Sequence, residues 1–172
     1  MQIRPTLVIG IGGSGTWVVR RLRKRLSRSL GATVSPALQL LALDTDDQQE
    51  STELSILERN EFYLLNNFLA DSVVSSHMLP RYPNVQRWWR YEQLLPGFIK
   101  DGAQQRPPVG RLALFHYSKR VWTALQSAIR SMFTPTSEYQ PIENNAIDVY
   151  IIGSSCGGTG AGTFFDVAAM AK

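Results

Sequence analysis

Residues 146–162 of the 172-residue chain read Ala-Ile-Asp-Val-Tyr-Ile-Ile-Gly-Ser-Ser-Cys-Gly-Gly-Thr-Gly-Ala-Gly. The apolar run from Ala146 to Gly153 is typical of a buried strand, and a helix is predicted from about Thr163. Between them, residues 157–162 carry almost no side chains, so backbone N–H groups there can approach an anion closely. The N-terminus of the following helix adds unpaired N–H donors. The segment therefore predicts a phosphate-binding turn, in which the Thr159 hydroxyl donates to a phosphate oxygen.

A similar order of elements occurs at the start of the chain. Thr6 to Ile11 is a short apolar run bounded by Pro5 and Gly12, which predicts a buried strand. The loop Gly10-Ile11-Gly12-Gly13-Ser14-Gly15 follows, and a helix is predicted from about Thr16 to Leu30. Two interpretations of this loop are open: a tight strand-to-helix turn, or a second place where backbone N–H groups hold a phosphate.

The first loop taken alone also fits a dinucleotide-binding site. Gly10, Gly12 and Gly15 match the G-x-G-x-x-G pattern. Asp44 ends a second predicted strand, Leu38 to Leu43, where a ribose-binding acid lies in such folds. A dinucleotide-binding half needs only one such loop, however, and two glycine loops on adjacent strands favour a chain of phosphates. Neither loop is followed by the lysine of the Walker pattern, so charge neutralisation is expected from backbone dipoles and a metal ion.

The alternation of apolar strands with helices predicts an α/β fold, a three-layer sandwich with a mostly parallel, Rossmann-like sheet. A third strand is predicted over Phe62 to Leu65, and the expected strand order is third, second, first, fourth. Residues 66–100 are interpreted as an insertion with one or two short helices. A single long helix is predicted from about Arg111 to Phe133, with an inner face made of Trp122, Leu125, Ile129 and Phe133.

Composition narrows the class of protein. The formal net charge is +4 and 44% of the residues are hydrophobic, which indicates a globular domain rather than a disordered segment. No apolar run approaches the roughly 20 residues that span a membrane, and no signal-peptide pattern precedes the first strand. The lone Cys156 permits no intrachain disulfide, which fits a cytoplasmic protein. The charge excess is too small to indicate nucleic-acid binding.

The first helix carries a concentration of basic residues. We interpret them as a solvated outer face opposite the apolar positions, with a surface for an acidic partner or for nucleic acid as the alternative. They are Arg20, Arg21, Arg23, Lys24, Arg25 and Arg28. Farther along, Trp88, Trp89 and Tyr91 are expected to pack in a satellite core.

The cysteine, one aspartate and the two histidines are predicted to have structural rather than chemical roles. Cys156 is interpreted as a small residue in a crowded loop rather than a reactive thiol. Asp166 is expected to stabilise the first turn of the last helix. His77 and His116 have no cysteine or acid at metal-binding spacing, so no metal site is predicted from them. No catalytic residue is predicted either.

Two segments resemble phosphate loops of the tubulin/FtsZ-like GTPase family. Residues 157–162 resemble the tubulin signature G-G-G-T-G-[ST]-G, with Cys156 in place of the first glycine and Ala161 in place of Ser/Thr. Residues 12–16 resemble the first phosphate loop of the family, with Thr16 in place of the usual asparagine.

Two further segments carry the same resemblance. Asp44-Thr45-Asp46 is similar to the Asn-Thr-Asp that follows the second strand of FtsZ. Residues 102–111 are similar, without a gap, to its Gly-Ala-Gly-Ala-Asn-Pro-Glu-Val-Gly-Arg segment, with Pro108 in place of the glutamate. The four motifs occur in the family's order, and the resemblance points to the bacterial tubulin-like proteins in particular.

The resemblance implies a protein that binds GTP or GDP, with a hydrated Mg²⁺ positioned by Asp46. Arg111 is implied as a charge partner of the nucleotide. The full set of implied nucleotide-binding residues is Gly12, Gly13, Ser14, Gly15, Thr16, Asp46, Gly102, Ala103, Arg111, Gly157, Gly158, Thr159, Gly160, Ala161 and Gly162.

The resemblance also implies that residues 1–172 are the N-terminal part of a GTP-binding domain. The family's base-binding residues and catalytic acids lie farther downstream, so GTP hydrolysis and head-to-tail assembly are expected only in the full-length protein. This fragment is expected to self-associate through the edge of its fourth strand. Two alternatives stay open: an NAD(P)-binding half of an oxidoreductase, and a non-catalytic tubulin-like scaffold, for which Pro108 and Cys156 are the best support.

Overall fold

The computed structural model describes residues 4–30, 35–47, 56–90, 97–136, 139 and 146–172. Six strands lie within these residues: β1 (Thr6–Ile11), β2 (Leu38–Asp44), β3 (Phe62–Leu64), β4 (Phe68–Leu69), β5 (Phe98–Ile99) and β6 (Asp148–Gly153). The helices are α1 (Gly12–Leu30), α2 (Asp71–Val74), a 3₁₀-helix (Leu79–Arg81), α3 (Pro83–Gln86), α4 (Pro107–His116), α5 (Ser118–Met132) and α6 (Gly158–Met170).

The main sheet is parallel and has the order β3-β2-β1-β6. Gly10 of β1 lies opposite Ala42 of β2 and Ile152 of β6, so the carboxyl ends of these three strands lie level at one edge. The predicted strand order and the Rossmann-like α/β fold are confirmed. Each central strand is a nearly continuous apolar run, as expected for parallel strands buried on both faces.

Helices cover both faces of this sheet. On one face, Val19 of α1 packs with Val8, Leu40 and Ala42. On the other face, Ile9 joins a larger core that includes residues of α4, α5 and α6. Because successive side chains of a strand point to opposite faces, neighbouring residues of β1 belong to different cores. This gives the three layers that the sequence predicted.

Both glycine segments are partly helical, contrary to the prediction. α1 begins at Gly12 rather than near Thr16, and α6 begins at Gly158 rather than near Thr163. Glycine is among the weakest helix formers, so the glycine-rich first turns of α1 and α6 were predicted to be loops. Contacts with neighbouring backbone segments, described below, override that preference. The N-termini of both helices therefore lie close to the carboxyl ends of β1 and β6.

The predicted long helix from Arg111 to Phe133 is instead two helices. α4 ends at His116 and α5 begins at Ser118, with Tyr117 (φ −96°, ψ 12°) between them. The Tyr117 hydroxyl donates to the carbonyl of Asn66, in the segment that follows β3. The break is thus fixed by a contact with a part of the chain that is distant in sequence.

The inner face of α5 also differs from the prediction. Trp122, which was expected to face inward, is 45% exposed, whereas Leu125 is buried as predicted. The positions that face the sheet are mainly smaller ones, which brings the helix close to the sheet. The buried residues of α5 are Val121, Ala124, Leu125, Ala128 and Met132.

Residues 66–100 contain more structure than predicted. Besides the short helices, β4 and β5 pair as an antiparallel two-stranded sheet. Trp89 is 3% exposed and belongs to the main core, so the prediction of a separate satellite core is wrong for this residue. Trp88 packs partly buried against the same core, and Tyr91 lies outside the described residues.

The basic residues of α1 do not all lie on a solvated face. Arg23 is 6% exposed and pairs with Glu58 and Glu61. Arg20 is 5% exposed, with its guanidinium 5.6 Å from the centre of the Phe62 ring. The prediction is wrong for these two arginines, which attach β3 and the segment before it to α1. The exposed members of the set are Arg21, Lys24, Arg25 and Arg28.

β6 is one of the two edge strands of the main sheet, and β3 is the other. In the part of the chain that the structure describes, no strand pairs with the outer edge of β6, so self-association there stays a prediction. None of the described helices has both the length and the apolar character needed to cross a membrane.

Candidate functional site

A pocket of about 410 Å³ opens at the edge of the sheet where β1 and β2 end. Four segments line it: residues 11–14 at the start of α1, residues 44–46 after β2, residues 101–105 before α4, and residues 154 and 156–160 at the start of α6. They meet because parallel strands bring their carboxyl ends to the same edge. The sequence predicted a ligand in this place.

Most of the residues implied by the resemblance line this pocket. They are Gly12, Gly13, Ser14, Asp46, Gly102, Ala103, Gly157, Gly158, Thr159 and Gly160. Gly15 and Thr16 are buried in α1 and do not line it. Arg111, Ala161 and Gly162 line a different pocket, on the outer side of α4 and α6. The structure thus brings the four motifs together but leaves five of the implied residues away from the pocket.

The glycines of the site serve two structural purposes. Gly12 (φ +68°) has a left-handed backbone conformation that favours glycine. Gly15, Gly158 and Gly160 instead permit close packing, because a Cβ on each would lie 2.3, 2.7 and 2.4 Å from a neighbouring backbone atom. For Gly15, this close packing fits the interpretation of the first loop as a tight strand-to-helix turn. Gly157 differs, since a Cβ there would meet nothing within 4 Å.

Buried hydroxyl groups join three of the four segments. The Ala103 N–H donates to Thr45 Oγ1 (2.9 Å), which lies 2.6 Å from Thr159 Oγ1. Thr159 Oγ1 in turn donates to Asp44 Oδ1 at 3.5 Å. The predicted donation from the Thr159 hydroxyl to a phosphate stays a prediction, and within the described residues this hydroxyl has Thr45 and Asp44 as neighbours. Thr159 holds the segments around the pocket together.

Asp44 lies beneath the pocket and is 2% exposed. Its Oδ1 accepts the N–H of Thr45 (2.7 Å) and of Asp46 (3.3 Å), whereas Oδ2 has no hydrogen-bond partner among the described residues. Burial raises the pKa of Asp44 to about 6, the negative charge of Asp46 adds to the rise, and the N–H donors oppose it. A nearby cation would therefore stabilise the ionised form of Asp44, which burial disfavours.

Arg111 is committed to an ion pair rather than to the pocket. Its Nε and Nη2 donate to the two carboxylate oxygens of Asp166 at 2.7 and 2.9 Å. Its guanidinium also lies 4.8 Å from the centre of the Trp88 ring. The expectation for Asp166 is corrected at the same time: α6 begins at Gly158, so Asp166 lies beyond the first turn and connects α6 to α4.

The oxygen donors at the pocket fit a hydrated magnesium ion. Among the described residues, no group of three or more His, Cys, Asp or Glu is arranged to hold a metal ion. Asp44 and Asp46 both line the pocket, and Oδ2 of Asp44 is buried without a partner in that part of the chain. Mg²⁺ keeps several waters and is bound by one or two carboxylates together with phosphates. The residues present therefore suit a magnesium ion that arrives with a phosphate chain.

Several pocket residues were not among the predicted nucleotide-binding residues, although they lie in or beside the motifs. Ser154 precedes the second glycine loop, and Cys156 replaces the first glycine of the signature; both line the pocket. Gln104 (φ +47°) and Gln105 (φ +57°) also line it, in a left-handed conformation that is uncommon for residues other than glycine. Nothing in the sequence signals that conformation at two glutamines.

The fold and the pocket together define a class: α/β proteins with a Rossmann-like parallel sheet and glycine-rich helix starts at the carboxyl edge of the strands. Residues 7–172 match the sequence profile of the tubulin-like family. The chain belongs to this family, and the resemblance noted from the motifs is confirmed. No curated protein is significantly similar to the chain in sequence.

Proposed function

We propose that this tubulin-like protein binds GTP or GDP, with Mg²⁺, in the pocket at the carboxyl edge of the sheet. The observation that carries the proposal is the convergence of four segments, including the N-termini of α1 and α6, on one opening. Helix N-termini offer N–H donors and a favourable dipole to anions. Two of them at one pocket suit a chain of phosphates better than a single phosphate.

The roles follow from position. Residues 12–14 and residues 157–160 hold the phosphates through their backbone N–H groups. Asp46 positions the hydrated magnesium ion, and the ion supplies positive charge to the phosphate chain when bound. Gly15, Thr16, Ala161 and Gly162 support these segments from behind or beside the pocket. Arg111 has no direct role in the proposal, because its guanidinium is held by Asp166.

The geometry at Asp44 disfavours the dinucleotide alternative. A ribose-binding acid must present its carboxylate to the sugar hydroxyls. Asp44 is 2% exposed, and its Oδ1 already accepts two backbone N–H groups. The non-catalytic scaffold therefore remains the stronger alternative, because it keeps this fold and requires no ligand.

For the full-length protein, the proposal includes the activities that the resemblance to the tubulin/FtsZ-like family implies. GTP hydrolysis and head-to-tail assembly are proposed for that protein, with residues 1–172 as the N-terminal part of its GTP-binding domain. A cytoplasmic location belongs to the same proposal, because the cytoplasm supplies GTP and Mg²⁺ and keeps the lone Cys156 reduced.

Calorimetric titration with GTP, ATP and NAD in the presence of Mg²⁺ tests the proposal. The full-length protein is expected to bind GTP at least about tenfold more tightly than NAD, a difference of about 1.4 kcal/mol. The 172-residue chain is expected to bind weakly and without preference between GTP and ATP, because only the phosphates contact it. A preference for NAD would overturn the proposal, and failure to bind any of the three would favour the scaffold.

A substitution at Gly157 separates phosphate binding from folding. Gly157 precedes α6 at the N-cap position with an extended backbone (φ −94°, ψ 156°), and a Cβ there meets open space. Gly157→Asp is expected to leave the free energy of unfolding unchanged or raise it by a few tenths of a kcal/mol, because aspartate is a good N-cap. Nucleotide affinity is expected to fall at least about tenfold, because the carboxylate takes the N–H donors and repels phosphate.

Gly157→Asn is the matched control, since asparagine caps a helix as well as aspartate but carries no charge. It is expected to weaken binding less than Gly157→Asp does. Urea unfolding and titration with a fluorescent guanine nucleotide measure the two effects. Equal affinity of Gly157→Asp and the unsubstituted protein would contradict the assignment of this pocket.

A further inference from the structure

The outward face of α1 presents a row of cations. Arg21, Lys24, Arg25 and Arg28 are exposed and lie three or four residues apart, so they share one side of the helix. No acidic residue occurs in α1. Within the described part of the chain, none of these four cations forms an ion pair.

An apolar groove of about 530 Å³ runs along the same face. Trp17, Val18 and Leu22 line it together with the four cations. Trp17 is 54% exposed, and the guanidinium of Arg21 lies 4.7 Å from the centre of its ring. The face therefore offers both an apolar floor and positive charge on its borders.

Within the residues that the structure describes, no contact of the fold neutralises these four charges. The two inward basic residues are already engaged: Arg20 contacts Phe62 of β3, and Arg23 pairs with glutamates of the segment before β3. Like charges three or four residues apart on a helix repel one another and destabilise it. An acidic ligand would relieve this repulsion, and solvent alone relieves it only in part.

We propose that this face of α1 binds an acidic amphipathic peptide segment of a partner protein. Carboxylates of the peptide pair with the four cations, and its apolar side chains cover Trp17, Val18 and Leu22. From Trp17 to Arg28 the face extends about 17 Å, at 1.5 Å per residue, which matches about three turns of a bound helix. The proposal is independent of nucleotide binding, because α1 faces the pocket only with its first residues.

Two other anionic partners fit this face less well. A nucleic acid would pair its phosphates with the cations but would offer the half-buried Val18 no apolar partner, whereas Leu22 already packs partly on the core beneath α1. A membrane-surface helix buries a broad apolar face in the lipid. The apolar face of α1 packs on the sheet instead, with Val19 fully buried, and Trp17 is the one aromatic residue of the helix.

The test uses a fluorescein-labelled, 18-residue peptide with glutamate and leucine at helical spacing, and fluorescence anisotropy as the readout. The 172-residue chain is expected to bind it, with an affinity that falls as salt rises. Lys24→Glu/Arg28→Glu is expected to weaken binding at least about tenfold, because two attractive pairs become repulsive. Trp17→Ala is expected to weaken it severalfold through loss of the apolar floor.

Lys119→Glu/Arg130→Glu on α5 is the matched control, since it makes the same change in net charge at two exposed positions elsewhere. It is expected to change the affinity less than twofold, and circular dichroism verifies that each variant is folded. A version of the peptide with glutamine for glutamate is expected not to bind. Equal binding by both double variants would overturn the proposal, as would tighter binding of a single-stranded oligonucleotide or of phosphatidylserine vesicles than of the peptide.

Discussion

Gly110→Ala is expected to lower the free energy of unfolding by about 2 kcal/mol. Gly110 lies in α4 where this helix contacts the start of α6, and a Cβ there would lie 2.3 Å from the carbonyl oxygen of Gly158. The next nearest atoms, the Gly158 carbonyl carbon and the Thr159 Cα, are at 2.9 Å. All three are backbone atoms, so no side chain can rotate away. The helices must separate, and the gain of about 1 kcal/mol from alanine's helix propensity offsets only part of this cost.

Urea unfolding of the 172-residue chain measures the loss. Gly157→Ala serves as its control, because the Cβ it adds has no atom within 4 Å. That variant is expected to lose less than about 1 kcal/mol, mainly through the weaker N-cap. Gly110→Ala is also expected to weaken nucleotide binding, because separation of α4 from α6 moves Gly158 and Thr159. An unchanged stability of Gly110→Ala would show that α4 and α6 have room to shift apart without cost.

The sequence was sufficient to predict the sheet because its signals there are local. Each strand of the main sheet is an apolar run of a few residues, and each run ends at a turn or a glycine segment. The strand boundaries of β1 were predicted without error, and those of β2 and β3 differ from the prediction by one residue. Four motifs at the ends of these elements then had to meet, because parallel strands bring their carboxyl ends to one edge.

The errors arose where a distant contact decides the local structure. The first turn of α6 is held by the packing of Gly158 against Arg106, which no helix propensity records. The Thr159 hydroxyl contacts another part of the fold rather than its own loop: its oxygen lies 2.6 Å from Thr45 Oγ1, which is 114 residues away in the sequence. The Arg111 guanidinium is likewise held away from the pocket by its ion pair with Asp166, which is 55 positions farther along the chain. A sequence motif predicts which segments come together, but the contact partners of each side chain come from segments that are distant in the sequence.

Asp44→Asn is expected to alter the pH dependence of stability by about 2.4 kcal/mol between pH 8 and pH 4. The rise of the Asp44 pKa from 3.8 in the unfolded chain to about 6 in the folded one corresponds to about 3 kcal/mol. Because the folded-state pKa is the higher one, the charged form is penalised in the fold. This penalty is fully present well above pH 6, falls as the pH drops from 6 to 3.8, and is lost below pH 3.8. Asparagine carries no charge at any pH and removes the penalty.

The substitution also has a cost that does not depend on pH. The amide nitrogen that replaces Oδ2 enters a buried position where Oδ2 had no partner among the described residues, at about 1–3 kcal/mol. Asp44→Asn is therefore expected to be neutral or stabilising at pH 8 and destabilising at pH 4. Urea unfolding at both pH values, with EDTA and without nucleotide, measures the difference. Chelation matters because a bound cation would lower the pKa of Asp44 and reduce the penalty.

Asp101→Asn provides the comparison for this experiment, because it removes an exposed carboxylate from the rim of the same pocket. It is expected to change the free energy of unfolding by less than about 0.5 kcal/mol at either pH. If Asp44→Asn had the same effect at pH 8 and pH 4, the buried carboxylate would not carry the penalty inferred from its burial. A difference of the expected size would instead mean that the ionised Asp44 carboxylate destabilises the fold when no cation is bound. A magnesium ion bound nearby would then offset part of this penalty.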